Sequence, residues 1–106
     1  MPSRAGRVNE TEVALATMQY LNTLPSKEAT IDEIVNALPD FLTLGENDRE
    51  QSETRPHEEM WEQQVRNIVS HKATSSNAVN LGYLEGAGGR LTLTEAGAAH
   101  LKANGL

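Results

Sequence analysis

Arg66, Asn67 and Ser70, with Gln63 one turn before them, are the residues of this 106-residue chain whose types and spacing fit a recognisable chemistry. Counted from Gln63 they fall at i+3, i+4 and i+7, which puts all four on one face of a helix. An arginine fork matches guanine O6 and N7 or a phosphate. Asn and Gln pair two-fold with adenine N6 and N7, and serine donates to either. This is the side-chain set that reads base edges in a DNA groove. Trp61, Val65, Ile68 and Val69 recur at i, i+4, i+7 and i+8 on the other face, so the same helix can keep an apolar side on a core. Ser70-His71-Lys72 and Thr74-Ser75-Ser76-Asn77 extend the polar surface past the helix end. Small hydroxyl and amide side chains, with free backbone N–H groups at the start of a helical turn, would make a phosphate seat there. Arg90 adds one cation further on. An ordinary solvated face and a plain capped turn would use the same residue types, so charge has to separate the readings.

The chain carries 15 acidic and 9 basic residues, a net charge of −6, which by itself opposes phosphate binding. The distribution says more. Eleven of the acids, and only two arginines, lie over 28–62, whereas 63–84 has no acid and holds Arg66, His71 and Lys72. That segregation is a modest electrostatic footprint at the polar helix. Arg4 and Arg7 form a basic arm over 1–8 that is expected to be flexible, with a minor-groove contact as the alternative.

Several function classes find no support. Without cysteine there are no disulfides, no thiol catalysis and no cysteine-ligated zinc. His57-Glu58-Glu59-Met60-Trp61 begins like a zinc-protease helix but lacks the second histidine. His57, His71 and His100 have no ligand spacing, and the paired acids Asp32-Glu33 and Glu58-Glu59 are adjacent on helices, hence on different faces. The chain is read as no enzyme, with no metal and no cofactor. Nothing resembles a signal peptide or a membrane span, so the expected location is the cytoplasm.

The elements that must position these residues follow from periodicity. A first helix is capped by Asn9 with Glu12 at the third position, and Val13, Ala16, Tyr20, Leu21 and Leu24 form its stripe up to Pro25-Ser26. A short extended segment at Ala29-Thr30-Ile31 leads into a second helix, where Thr30 and Glu33 make another capping box and Pro39 forces an end near Leu38. Residues 43–57 read as an exposed acidic loop. The third helix is predicted over 58–71. Asn77-Ala78-Val79-Asn80-Leu81-Gly82 then looks like one or two further helical turns closed by Gly82. Two strands, Tyr83-Leu84-Glu85 and Arg90-Leu91-Thr92-Leu93, flank a four-residue turn at Gly86-Ala87-Gly88-Gly89, and Thr94 caps a last helix. The fold class is therefore mainly α with a small β-hairpin. It is a winged helix, a helix-turn-helix variant, with a three-helix core, a two- or three-stranded wing and a C-terminal helix over 9–104.

Trp61-Glu62-x-x-Val65-Arg66-Asn67, Ser70-His71-Lys72, Asn77, Gly82-Tyr83-Leu84-Glu85 and Leu91-Thr92-Leu93-Thr94-Glu95-Ala96-Gly97 together resemble the winged-helix domains of bacterial restriction endonucleases, of the Mrr-type N-terminal and modification-dependent kinds. The resemblance implies a double-stranded DNA-targeting module with a fused or associated nuclease domain, and sequence-specific reading that extends to methylated bases such as N6-methyladenine. The segment 73–76 departs from that pattern and is where a methyl-sensing pocket could be built. A chain that stops just after its last helix suits such a module. The competing expectation is a winged helix used for protein interaction or dimerisation, or a transcriptional regulator of the same fold, motivated by the acidic stretch and the negative total charge.

Overall fold

The computed structural model describes residues 10–42, 60–75 and 77–106. The basic arm, the Asn9 cap, the acidic loop, Ser76 and the side chain of Trp61 lie outside what is described. Among the described residues the chain forms α1 (Glu10–Asn22), β1 (Glu28–Thr30), α2 (Ile31–Ala37), a 3-10 turn (Leu38–Asp40), α3 (Met60–Ser70), β2 (Leu84–Ala87), β3 (Arg90–Leu93) and α4 (Glu95–Ala103). The strands make one antiparallel sheet in the order β1-β3-β2. The short extended segment is therefore a true strand, and the sheet has three strands.

α1 closes at Asn22, before the expected Leu24, because the Thr23 and Leu24 N–H groups turn back to the Tyr20 and Leu21 carbonyls in tight i−3 bonds. It is also buried more broadly than its predicted stripe. Ala14, Thr17 and Met18 join Val13, Ala16 and Leu21 in the interior, since α3 and α4 both pack on this helix. The Thr17 hydroxyl, which a stripe of hydrophobes would exclude, donates to the Val13 carbonyl at 2.8 Å and so enters the core satisfied. Around α1 the core gathers Ile34, Leu38, Val65, Ile68, Leu84, Leu91 and Leu101, each almost fully removed from water. Each such burial is worth roughly 1.5–3 kcal/mol.

α2 starts where its sequence says. The Thr30 hydroxyl accepts the Glu33 N–H at 3.1 Å, and the Glu33 carboxylate accepts the Thr30 N–H at 2.8 Å. Pro39 then sits inside the 3-10 turn that replaces the next α turn. The bond from the Thr30 backbone, followed by that from its side chain, holds the Glu33 carboxyl below its ordinary 4.5. Thr30→Ala is expected to cost about 1 kcal/mol in thermal or urea unfolding. A carboxyl whose folded pKa is depressed stabilises above its unfolded value and loses that contribution as pH falls through the folded one. The gap between the parent and Glu33→Ala should accordingly close as the pH is lowered past 4.5.

The hairpin is tighter than expected. Ala87 pairs with Arg90, so Gly86 and Ala87 belong to β2 and the turn is only Gly88-Gly89. Both glycines have positive φ, 59° and 74°, the conformation of a two-residue turn whose twist matches the strands. Gly86 instead serves a close approach: a Cβ there would stand 3.3 Å from Val69 of α3 and from Leu91 of β3. β2 thus touches α3 at this point.

Candidate nucleic-acid interface

α3 is fixed by Val65 and Ile68, both buried, with Val69 against β2 and with α1 and α2 packed on it. These are the anchors expected from its apolar spacing. Gln63, Arg66 and Asn67 are half-buried and Ser70 is exposed, on the side turned from Val65 and Ile68. The four therefore stand together on one outward face. Asn67 Nδ2 donates to Gln64 Oε1 at 3.4 Å, and Gln63 and Arg66 each interact with a neighbour within the fold.

Past Ser70 the chain leaves the helix in a series of turns. The His71 N–H still bonds to the Asn67 carbonyl, and those of Lys72 and Thr74 reach the Val69 and His71 carbonyls. Lys72, Thr74 and Ser75 are exposed at this end of α3. The Lys72 carbonyl accepts from Asn80 Nδ2 at 3.1 Å, which holds the loop against the following turn.

Two predicted contact residues are placed differently. Asn77 is only 3% exposed and spends its whole amide inside the protein. Its Nδ2 donates to the Ile68 carbonyl at 2.9 Å and to Glu10 Oε2 at 3.2 Å. Its Oδ1 accepts the N–H groups of Val79 and Asn80 at 2.8 and 3.3 Å. Those N–H groups were the ones expected to be free for a phosphate, and Asn77 takes them, as a cap would. The turn it starts ends as predicted at Gly82, whose φ is 84°. The Gly82 and Tyr83 N–H groups return to the Val79 and Ala78 carbonyls, the paired bonds of a Schellman close.

His71 is half exposed, but its Nδ1 lies 2.7 Å from Glu10 Oε1. The sequence segment 63–84 is free of acid, yet the fold inserts an acid into its surface from the first turn of α1. Glu10 is the residue that reading along the chain missed, and no local signal marks it. Arg90 sits on β3 with its Nη1 3.3 Å from Glu28 Oε1 across the sheet, both side chains about half exposed. An exposed pair of this kind contributes about 0–1 kcal/mol and yields readily to another partner.

A cleft of about 600 Å³ opens between α1, the turns after α3 and α4, lined among others by Glu10, Leu15, Met18, Leu81, Tyr83 and His100. Its walls come from three separated segments. Among the described residues no group of three His, Asp or Glu is placed to hold a metal ion, and no helix is long and apolar enough to cross a membrane. Comparison with protein-family models, curated proteins and solved structures finds no match to this chain.

Proposed function

We propose that the chain is a winged-helix domain that binds double-stranded DNA through the outward face of α3. The observation that carries this reading is the joint placement of Gln63, Arg66, Asn67 and Ser70 on one accessible face, with the buried Val65 and Ile68 holding the opposite side. The element order supports it: two helices, a third with a polar outer face, then a hairpin beside that helix, with β1 completing the sheet. In this arrangement the third helix enters the major groove and the hairpin follows the backbone. Lys72, Thr74, Ser75 and Arg90 supply phosphate contacts around the base-reading face, while Asn77 and His71 hold the end of α3 in place. With a net charge of −6, sequence-independent affinity is expected to be low. The restriction-domain resemblance extends the proposal to a targeting module of a nuclease that distinguishes N6-methyladenine.

Fluorescence anisotropy with methylated and unmethylated duplex pools at fixed salt tests both parts. Arg66→Ala and Asn67→Ala are expected to cost roughly 1–3 kcal/mol of binding each on the preferred sequence and to relax the preference there. Lys72→Ala should weaken all duplexes alike and lower the salt slope by about 1. Equal binding of parent and variants to every duplex would refute the reading. The net charge also favours a second use, as a protein-interaction or dimerisation module. Self-association in sedimentation with no duplex affinity at low salt would select it.

A further inference from the structure

The geometry points to the cleft between α1 and α4 as a binding site for a small cationic amphiphile, an aromatic or alkyl body carrying an ammonium head. At about 600 Å³ it has the size of a small-molecule site. The α1 wall runs through Glu10, Thr11, Ala14, Leu15 and Met18, one helix face of roughly 12 Å from end to end at 1.5 Å per residue. Met18, Ala14, Ala78 and Asn77 are nearly inaccessible and form the floor. Leu81, at 49% exposure a large hydrophobe open to water, stands at the rim.

Two of the polar lining residues converge on Glu10. His71 and Asn77 meet the two oxygens of that carboxylate and fix its position. Glu10 is the one acidic residue of the lining, and neither lysine nor arginine borders the cleft among the described residues. An anionic ligand would be repelled and a cation drawn to this end. Apart from Thr11 and Thr74, the rest of the lining is apolar or aromatic, including Tyr83 stacked on His100 with ring centroids 4.3 Å apart and planes 16° from parallel. Such a pair suits a flat hydrophobic body.

Tryptamine, indole and indole-3-acetate share one ring system and differ in the charge of the side group, so they serve as probes. Titrated into the isotopically labelled full chain without DNA, tryptamine should give saturable NMR shifts at Ala14, Leu15, Ala78, Leu81 and His100, with a Kd on the order of 1 mM. Indole should bind roughly three- to tenfold more weakly, and indole-3-acetate more weakly still. Glu10→Gln is expected to bring tryptamine down to the level of indole without changing indole itself. Leu81→Ser, at an exposed rim position that tolerates polarity, should weaken all three, and it keeps the test alive if Glu10→Gln unfolds. No saturable shifts with tryptamine, shifts centred elsewhere, equal affinity for the three probes, or an unchanged ranking in a folded Glu10→Gln would each overturn the assignment. The readout needs no duplex, so it stands or falls separately from DNA binding.

Discussion

Gly97→Ala is expected to lower the thermal midpoint by roughly 12–24 °C, from a loss of about 3 kcal/mol at some 4–8 °C per kcal/mol. A Cβ at Gly97 would overlap the Tyr83 carbonyl oxygen and lie 2.6 Å from Leu93 Cδ1. Leu93 could rotate away, but the Tyr83 oxygen is backbone and already accepts the Thr94 N–H at 3.1 Å. The conflict can be relieved only by lifting α4 off the sheet. Thr94 ties the same corner: its hydroxyl accepts the Gly97 N–H at 3.0 Å and donates to the Gly82 carbonyl. The Thr-x-x-Gly spacing thus has a physical meaning, a cap at one end and a methyl-free contact at the other. Ala96→Gly, one residue away and exposed, serves as the control, with an expected cost of at most about 1 kcal/mol. If differential scanning calorimetry finds Gly97→Ala within a degree or two of the parent, α4 does not sit on that carbonyl.

The second large effect is at Asn77. Asn77→Ala should destabilise by about 2–3 kcal/mol, since it strands the buried Ile68 carbonyl and the part-buried Val79 N–H. Asn77→Asp keeps the acceptor for Val79 and Asn80 but sets a carboxylate against the Ile68 carbonyl and the Glu10 carboxylate. Burial and that neighbouring acid would raise its folded pKa above the unfolded value of about 3.9. A raised folded pKa means that the stability is complete below the unfolded value and is lost as pH rises through the folded one. Chemical unfolding should therefore show Asn77→Asp well below the parent at neutral pH, with the gap narrowing towards pH ~4. A side chain that served only as a phosphate contact would behave differently: Asn77→Ala would then lose duplex affinity and keep its stability.

Asn77 also shows where linear reading stops. Its residue type is right for both DNA contact and capping, and the choice depends on whether the Ile68 carbonyl and the Glu10 carboxylate lie within reach. They are 9 and 67 residues away in sequence, so no local pattern decides between the two. Thr30 is the opposite case. Its partner Glu33 is three residues on, and the capping box is fully specified by that spacing. The hairpin lies between these extremes. Four consecutive small residues, Gly86 to Gly89, are compatible with a four-residue turn, and the pairing of Ala87 with Arg90 settled on two. Gly86 was freed to become a contact point with Val69 of α3.

The outward face of α3 therefore has two origins. The spacing of Val65, Ile68 and Val69 was enough to say which side turns inward, and hence that Gln63, Arg66, Asn67 and Ser70 share the other, because helical periodicity acts over a few residues. The elements in their order, the caps at Thr30 and Thr94 and the close at Gly82 were legible for the same reason. Tertiary structure alone decided what borders that face. It brought Glu10 from the first turn of α1 to His71, turned Asn77 inward, laid β2 against Val69 and opened the cleft beside α4. Those outcomes depend on which distant segments can be packed together at full density, and side-chain type at a single position carries no record of its distant neighbours.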